Sequence, residues 1–546
     1  MNVAEAVGRA LVDGGVRRVF GVVGSGNFAV TNAMVDAGAQ FVAARHEGGA
    51  ATMADAYART SGEVAAVTVH QGCGLTNAMT GVAEAVKSRT PLVVVAAEAT
   101  DPRSNFYVDQ PAIAGAVGAQ SVRIATAGSA PSQALEAAVT ALHDRRTVLL
   151  NLPLDIQDAE TSDEPPAPHP ERPVPPEPST DDVRRLVDSL RRAERPVFIA
   201  GRGARSDPAR LALESLAEAC GALLATSAVA KGLFRDNPWS LDVSGGFASP
   251  LAAELIRGAD LIVGWGTALN MWTTRHGRLI GGETDVVQVD DDPTQLGKHR
   301  DIGLGIVGDV TATATATGEA LHNDGTRVTG YRTAAVADSI AERGDWLHTT
   351  YNDTSTNRRV DPRTLTRRLD ALLPVERVIG VDSGNFMGYP SMFLRVPDER
   401  GFCFTQAYQS VGLGLATAIG AALAQPDRLP VAAVGDGGLL MAASELETVV
   451  RLGLPMVVIA YNDAAYGAEV HHFGPTGANL DTVQFPDTDL ASVARGFGYE
   501  ALTVRRQSDL DAVHDWLSGP RTAPLLIDAK VTSDEPSWWL AEAFGH

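Results

Sequence analysis

Cysteine is scarce in this chain. The 546 residues contain only Cys73, Cys220 and Cys403, which lie far apart and form neither a CxxC motif nor a Cys/His cluster. A disulfide framework and a cysteine-ligated zinc site both need such clustering. The sequence therefore predicts neither of these stabilising devices.

Long apolar runs and an excess of positive charge are also missing. No run of about 18 apolar residues could form a membrane-spanning helix. The first residues, MNVAEAVGRALVDGG, are amphipathic and lack the basic and apolar regions of a signal peptide. The formal net charge of −21 opposes unspecific binding to nucleic acid or anionic membranes. We therefore expect a cytoplasmic protein with no nucleic-acid or membrane partner.

Short apolar runs alternate with alanine-rich helical segments along most of the chain. The runs are VRRVFGVVG, VAAVTVH, PLVVVAAE, TVLLNLPL, PVFIAGRG, LIVGWG, DVVQVD, RVIGVD, PVAAVGDG and MVVIAYND. Such runs are typical of strands buried on both faces of a parallel sheet. The length suggests about three domains. We predict an α/β fold of three open parallel-sheet domains at 1–157, 183–330 and 355–546, with a proline-rich, acidic linker at 158–182.

One strand end carries a pattern that suits an anion and a cation together. The apolar run Val431–Val434 ends in Gly435-Asp436-Gly437-Gly438, directly before a helical segment. Glycines let backbone N–H groups approach an anion, and a helix N-terminus favours it. Because Asp436 would repel a phosphate, a hard cation such as Mg²⁺ is needed between them. A surface turn is the alternative explanation.

The next apolar run supplies a second carboxylate. Met456–Tyr461 is followed by Asn462 and Asp463. If the two strands are neighbours, Asp463 lies beside Asp436, since parallel strands end at the same edge of a sheet. The pattern thus predicts a metal and phosphate site.

The GDG sequence followed by an ND pair resembles the cofactor motif of thiamine-diphosphate-dependent enzymes. In that family the aspartate of GDG, the second residue of the pair and a main-chain carbonyl two residues later bind Mg²⁺. The resemblance implies Asp436, Asp463 and Ala465 as the metal ligands. The pair reads ND where NN is commoner, a variant that is also found in acetolactate-synthase-like members.

A second motif lies near the N-terminus. A strand predicted at Phe41–Ala44 leads into Arg45-His46-Glu47, and the segment continues to AYARTSG. This pattern resembles the pyrimidine-binding domain of the same family, in which a glutamate contacts the N1′ atom of the aminopyrimidine. A carboxylate there favours the imino form of the 4′-amino group, which removes the proton from thiazolium C2. The resemblance implies Glu47 as a catalytic residue; an ordinary helix cap is the alternative.

Two further catalytic candidates follow from the resemblance. His70, in TVHQGCG, occupies a position where the benzoylformate-decarboxylase-like branch uses a histidine for proton transfer; a purely structural histidine is the alternative. Gln110, in VDQPAI, occupies a position where related carboligases have a substrate-side glutamine, and a helix cap at Asp109 is the alternative.

The likeness extends over nearly the whole chain, in the order pyrimidine-binding, central and diphosphate-binding domain. The third domain contains the segments VDSGNFMGY and AYQSVGLGLATAIGAAL, which resemble the start of the diphosphate domain. The residues that the resemblance assigns to cofactor binding are Gly384, Asn385, Ser410, Val411, Gly435, Asp436, Gly437, Gly438, Asp463, Tyr466 and Gly467.

Several positions depart from the family's pattern or stay open. In the family, a larger side chain supports the V-shaped conformation of the cofactor. Val411 occupies this position, and its side chain is shorter. His471 and His472 either reach the substrate or lie on a solvated face. Trp538 and Trp539 either cover the site or pack in a core. FAD binds the central domain of some relatives, but GRGARS at 201–206 is only a partial glycine-rich loop and no motif here supports FAD.

The resemblance implies a thiamine-diphosphate- and Mg²⁺-dependent carboligase or lyase acting on 2-keto acids or aldehydes. Pyruvate conversion to acetolactate is the leading reaction. A 2-keto acid decarboxylase, or an aldehyde lyase of the benzoylformate decarboxylase and benzaldehyde lyase type, is the alternative. An inactive cofactor-binding homologue would have lost Glu47 or a metal ligand, and a dehydrogenase would need a GxGxxG loop. The family assembles at least as a homodimer, and we expect a homotetramer.

Overall fold

The computed structural model describes residues 1–161, 174–323 and 330–540. It contains three six-stranded sheets with helices between the strands. The strand pairs of all three sheets are parallel. The predicted α/β class with three parallel-sheet units is confirmed. Much of the predicted linker at 158–182 lies outside the described residues.

The first sheet has the strand order β2-β1-β3-β4-β6-β5. Its inner strands β3, β4 and β6 are buried along their whole length, as their unbroken apolar sequences require. The strands are β1 Arg18–Gly21, β2 Gln40–Ala43, β3 Ala65–Val69, β4 Leu92–Glu98, β5 Gln120–Arg123 and β6 Thr147–Pro153, and the helices are α1 Val3–Asp13, α2 Phe28–Asp36, α3 Glu47–Ser61, α4 Cys73–Lys87, α5 Gln110–Val117 and α6 Ala130–His143.

The second sheet has the order β12-β11-β10-β7-β8-β9. It has its own apolar layers, one on each face, around Phe198 and Trp265 on one side and Ile199 and Ile262 on the other. The strands are β7 Pro196–Ala200, β8 Leu223–Thr226, β9 Ser240–Val243, β10 Leu261–Trp265, β11 Asp285–Asp290 and β12 Leu304–Val307, and the helices are α7 Thr180–Arg192, α8 Asp207–Cys220, α9 Pro250–Arg257, α10 Met271–Thr274 and α11 Val310–Asn323.

The third sheet has the order β14-β13-β15-β16-β18-β17. Helix α12, Ala334–Arg343, precedes it and packs with Val336 and Ile340 on the second unit. The strands are β13 Arg377–Val381, β14 Phe402–Phe404, β15 Leu429–Gly435, β16 Val457–Asn462, β17 Glu500–Val504 and β18 Leu525–Lys530, and the helices are α13 Pro362–Leu372, α14 Gly388–Phe393, α15 Gly414–Ala424, α16 Asp436–Met441, α17 Glu445–Arg451, α18 Gly467–Phe473, α19 Leu490–Phe497 and α20 Asp511–Ser518.

The first and third sheets share one apolar core. Met53 on α3 and Ile419 on α15 belong to the same buried cluster. The two helices approach closely at Gly420, where a Cβ atom would lie 2.1 Å from the carbonyl oxygen of Met53. Only glycine permits this contact, so the sequence of α15 fixes how the first and third units dock.

Candidate active site

Two carboxylates meet where neighbouring strands end. Strand β15 pairs with β16, with Gly435 opposite Tyr461, so Asp436 and Asp463 follow side by side at the carboxyl edge of the sheet. Burial raises the pKa of Asp436 to about 6. Burial, and then the charge of Asp436, raise the pKa of Asp463 to about 7. A cation between these two groups would remove that cost.

A cavity of about 490 Å³ opens at this edge. Its size lies within the range of small-molecule and cofactor sites. The charged residues lining it in the described part of the chain are all acidic, namely Asp436, Asp463, Glu469 and Glu535. Among the described residues, no basic side chain lines the cavity. A diphosphate would therefore bind there only together with a cation. The donor set, two carboxylates and the backbone near Ala465, suits Mg²⁺.

A buried polar atom also lacks a partner at this cavity. Gln406 lines the wall with 8% of its surface exposed, and its Nε2 donates to no acceptor. Buried donors in native proteins are rarely left unpaired. The cavity wall therefore offers a hydrogen-bond donor for a ligand.

Most of the predicted cofactor-binding residues lie on the wall of this one cavity. The wall includes Gly384, Asn385, Val411, Gly435, Asp436, Gly437, Gly438, Asp463, Ala465, Tyr466 and Gly467. Ser410 is not part of the lining, and its hydroxyl donates to the carbonyl oxygen of Val411 at 3.3 Å. Residues that the family resemblance assigned to the cofactor therefore come together from four separate loops on one cavity wall.

The glycines of the GDGG loop serve packing as well as ligand access. A Cβ atom at Gly437 would lie 2.9 Å from the Tyr466 ring, and one at Gly438 would lie 2.2 Å from Oδ2 of Asp382. Helix α16 is only six residues long and is followed by a separate helix, α17. The predicted contribution of a helix dipole to anion binding is correspondingly small.

Glu47, His70 and Gln110 lie at the carboxyl ends of strands in the first sheet, outside the wall of this cavity. Glu47 is the first residue of α3, is half-buried and accepts a hydrogen bond from Nδ2 of Asn77 at 3.1 Å. The sequence placed the preceding strand at Phe41–Ala44, and the structure places it at Gln40–Ala43.

The other two first-domain candidates have local partners. Nε2 of His70 lies 3.4 Å from the Ser25 hydroxyl oxygen. The centres of the His70 and Phe106 rings are 5.2 Å apart, in an edge-on arrangement. Gln110 is 1% exposed, and its Nε2 donates to the carbonyl oxygen of Ala97 at 2.7 Å, while its Oε1 accepts no bond.

Three buried carboxylates around the site were missed by sequence reasoning. Asp382 accepts backbone N–H bonds from Ser383, Gly412 and Leu413, and burial raises its pKa to about 7. Glu84 and Glu445 bind backbone groups of the opposite unit. A single acidic residue, whether it lies in a helix as Glu84 and Glu445 do or follows a strand as Asp382 does, gives no sequence signal that distinguishes such a role from a solvated charge.

Three of the residues left open by the sequence are also placed. Trp539 is buried beneath Tyr389, with ring centres 4.9 Å apart, so it packs in the core. Neither His471 nor His472 lines the cavity.

In the loop at 201–206, a Cβ atom at Gly203 would lie 2.8 Å from the backbone of Gly266, so packing of the chain on itself explains that glycine without FAD.

No three histidine, cysteine, aspartate or glutamate side chains gather into a metal cluster within 1–161, 174–323 and 330–540. Across the same ranges, no helix combines the length and apolarity needed to span a membrane.

Comparisons with known proteins give a family match for each of the three units. Family models described as thiamine pyrophosphate enzyme domains match residues 1–143 (N-terminal TPP binding domain), 183–317 (central domain) and 382–529 (C-terminal TPP binding domain). Together they cover well over half of the chain.

Individual relatives are similar over nearly their full length. A sulfoacetaldehyde acetyltransferase of Alcaligenes xylosoxydans xylosoxydans is 28% identical, over 93% of this chain and 89% of that protein. The acetolactate synthase isozyme 2 large subunit of Escherichia coli (strain K12) is 25% identical, over 98% and 97%.

Among solved structures, the Rhodococcus jostii RHA1 thiamine diphosphate-dependent 4-hydroxybenzoylformate decarboxylase superposes with a TM-score of 0.81 at 23% identity, covering 98% of this chain and 100% of that one. At this identity the likeness shows a shared fold. With three domain matches in the expected order, the chain belongs to the family of thiamine-diphosphate-dependent enzymes.

Proposed function

We propose that this protein is an Mg²⁺-dependent enzyme that cleaves the bond beside the carbonyl of a 2-keto acid and transfers the remaining fragment to a second carbonyl. Pyruvate conversion to acetolactate is the proposed reaction. The observation that carries the proposal is the acidic pair of Asp436 and Asp463 at the ends of neighbouring strands, in a cavity lined by acidic but no basic side chains among the described residues.

The chain's own residues would bind and orient the cofactor. Asp436, Asp463 and the carbonyl of Ala465 would hold Mg²⁺ against the diphosphate. Val411, which is 40% exposed and lines the cavity, would support the bend between the two rings. When bound, thiamine diphosphate supplies the electron sink for cleavage beside a carbonyl.

Glu47 would hold a proton at the N1′ atom of the aminopyrimidine. Because Glu47 lies outside the cavity wall of its own chain, we propose that it serves the cavity of a second subunit. A homodimer would then be the minimal active unit, as a closed two-fold assembly places both such pairs symmetrically. We further propose a homotetramer built from two such dimers.

His70 favours a second candidate, simple decarboxylation of a 2-keto acid. It stands at the end of β3, at the same sheet edge as Glu47, with Nε2 near the Ser25 hydroxyl. A histidine there could deliver a proton to a product carbon, which ends the reaction as an aldehyde. Gln110 is proposed as a substrate-side residue, which requires its buried amide to leave the Ala97 carbonyl.

The protein loaded with thiamine diphosphate and Mg²⁺ tests the proposal directly. It is incubated with pyruvate, longer and aromatic 2-keto acids, and sulfoacetaldehyde, and products are identified by mass spectrometry. Acetolactate from pyruvate supports the leading reaction, whereas acetaldehyde alone supports the second candidate. Failure to convert any of these substrates by a protein that binds the cofactor would contradict both.

A further inference from the structure

The loop that leads to Glu47 is held by a buried carboxylate of the third unit. Glu445, the first residue of α17, is 2% exposed. Its Oε1 accepts the backbone N–H groups of Arg45 at 3.1 Å and His46 at 3.0 Å. A Cβ atom at Gly49 would lie 2.5 Å from the same oxygen, so the carboxylate fits tightly beneath the start of α3.

The loop that carries Val411 is held in the opposite direction by the first unit. Glu84 on α4 is fully buried. Its Oε1 accepts the N–H group of Ala407 at 3.1 Å and its Oε2 that of Tyr408 at 2.6 Å. Arg59 donates to Glu84 at 2.6 Å and to the carbonyl oxygen of Phe404 at 2.8 Å, which extends the contact to the end of β14.

A second buried carboxylate fixes the far end of this loop. Asp382 accepts the N–H groups of Gly412 and Leu413. Residues 409–411 therefore span two anchors. Gln409 in this span adopts a left-handed backbone conformation with φ of 63°, which is unfavourable for a residue other than glycine unless its surroundings impose it.

Neither Glu84 nor Glu445 lines the cavity, so neither can touch a ligand there. Hydrogen bonds to a buried carboxylate are stronger and shorter than those between neutral groups. Each glutamate uses them on main-chain atoms within four residues of a group proposed for the cofactor. Their effect on that group is therefore transmitted through the backbone.

We propose that Glu84 and Glu445 are reciprocal positioning residues, with Glu445 setting the place of Glu47 and Glu84 setting the place of Val411. This inference rests on the proposed function for its catalytic consequence. Its structural half, the anchoring of the two loops across the unit boundary, does not depend on which cofactor the protein uses.

Amide hydrogen exchange tests the structural half on the full-length protein without added cofactor. Glu445→Met removes the acceptor at similar volume, and exchange at residues 45–46 should become about tenfold faster, while Glu445→Gln, which keeps one acceptor oxygen, restores most of the protection. Glu84 accepts with both of its oxygens, so Glu84→Gln, which replaces one of them by an NH2 group, should accelerate exchange at residues 407–408 and leave 45–46 unchanged.

A matched control separates positioning from general loss of a buried charge. Asp370 is a buried carboxylate of the third unit that pairs with Arg377 and Arg395 and contacts neither loop. Asp370→Asn should leave exchange at 45–46 and 407–408 as in the wild type. Equal acceleration in this control, or unchanged exchange in Glu445→Met and Glu84→Gln, would overturn the inference.

Binding of thiamine diphosphate with Mg²⁺ tests the catalytic half. Glu84→Gln should raise the Kd of the cofactor about tenfold, whereas Glu445→Met should keep Kd within about threefold and slow C2–H exchange of the bound cofactor about tenfold. If both variants match the wild type in these readouts while their loops exchange faster, the positioning role is wrong.

Replacement variants and cofactor binding by the wild type distinguish a folding defect, a wrong proposed function and a wrong positioning role. If Glu84→Gln or Glu445→Met does not fold, Glu84→Asp and Glu445→Gln take their places, with a smaller acceleration expected at the same amides and no change contradicting the inference. If the wild type binds no thiamine diphosphate, the proposed function fails, while the exchange data still decide whether the loops are anchored as described.

Discussion

Without a bound cation, the ionised forms of Asp436 and Asp463 destabilise the fold, because both carboxylates are buried and the charge of Asp436 acts on Asp463. The pKa of Asp463 is raised to about 7 from its ordinary value of 3.8. Because this folded-state pKa lies above the unfolded value of 3.8, the stability is fully present only below pH 3.8 and is lost progressively as the pH rises to about 7. Without a cation the charged pair therefore destabilises the fold most at and above neutral pH.

Replacement of one of these groups should accordingly stabilise the metal-free protein. At pH 8 in the presence of EDTA, Asp463→Asn should unfold a few degrees higher than the wild type, because it removes a buried charge. At pH 5 the difference should be smaller, since pH 5 lies between the unfolded value of 3.8 and the folded value of about 7 and only part of the stability has been lost there. Thermal unfolding followed by circular dichroism measures both, and a lower unfolding temperature for the variant at pH 8 would refute the unfavourable pair.

Glu47 lies outside its own chain's cavity, so its replacement should separate binding from chemistry. Glu47→Gln should retain cofactor binding and lose at least about 100-fold in turnover, as expected when a group that assists proton transfer is removed. Asn77→Asp, which alters only the neighbour that donates to Glu47, serves as a comparison. Wild-type-like turnover in Glu47→Gln would remove the proposed role.

At the scale of elements, most inner strands could be predicted from the sequence, whereas the inner strands β8 and β18 and several edge strands were missed. Each of the ten apolar runs corresponds to a strand, because burial on both faces requires continuous apolar sequence. Strands β5 and β17 are sheet edges with mostly exposed or half-buried residues, so their sequences QSVR and EALTV carry no such run. Their existence depends on pairing with β6 and β18.

The contact between α3 and α15 gives a prediction at the same scale. Gly420→Ala should destabilise the protein, since the added methyl group meets backbone at 2.1 Å and forces the helices apart, at a cost of about 1 to 3 kcal/mol. Gly318→Ala on α11 is the matched control, because no atom lies within 4 Å of its Cβ position and alanine favours helix there by about 0.5 to 1 kcal/mol. Equal unfolding temperatures for the two variants would contradict this account of the interface.

For the whole molecule, sequence motifs pointed to residues that line one cavity, and they left the buried carboxylates around it undetected. GDG and ND could be assigned because their spacing matches strand, helix and return strand, which are local features. Glu84 and Glu445 act on residues hundreds of positions away, and one sequence contains no information about such pairings. The same holds for Asp382, whose partners Gly412 and Leu413 belong to another loop.

Assembly from two chains predicts complementation between inactive variants. If Glu47 of one subunit serves the cavity of its partner, a mixed dimer of Glu47→Gln and Asp463→Asn retains one intact site. Random mixing by co-expression should then recover about a quarter of wild-type activity, while each variant alone stays inactive. Absence of recovery in verified mixed dimers would mean that both groups act within one chain.

In the proposed function, a cation bound by Asp436 and Asp463 allows an acidic cavity to accept a diphosphate. Calorimetric titration of thiamine diphosphate into the protein, first with Mg²⁺ and then with EDTA, measures whether the cation is required. We predict binding with Mg²⁺, its loss in EDTA, and its loss in Asp463→Asn under both conditions. Equal affinity with and without the cation, or unchanged affinity in Asp463→Asn, would contradict the account.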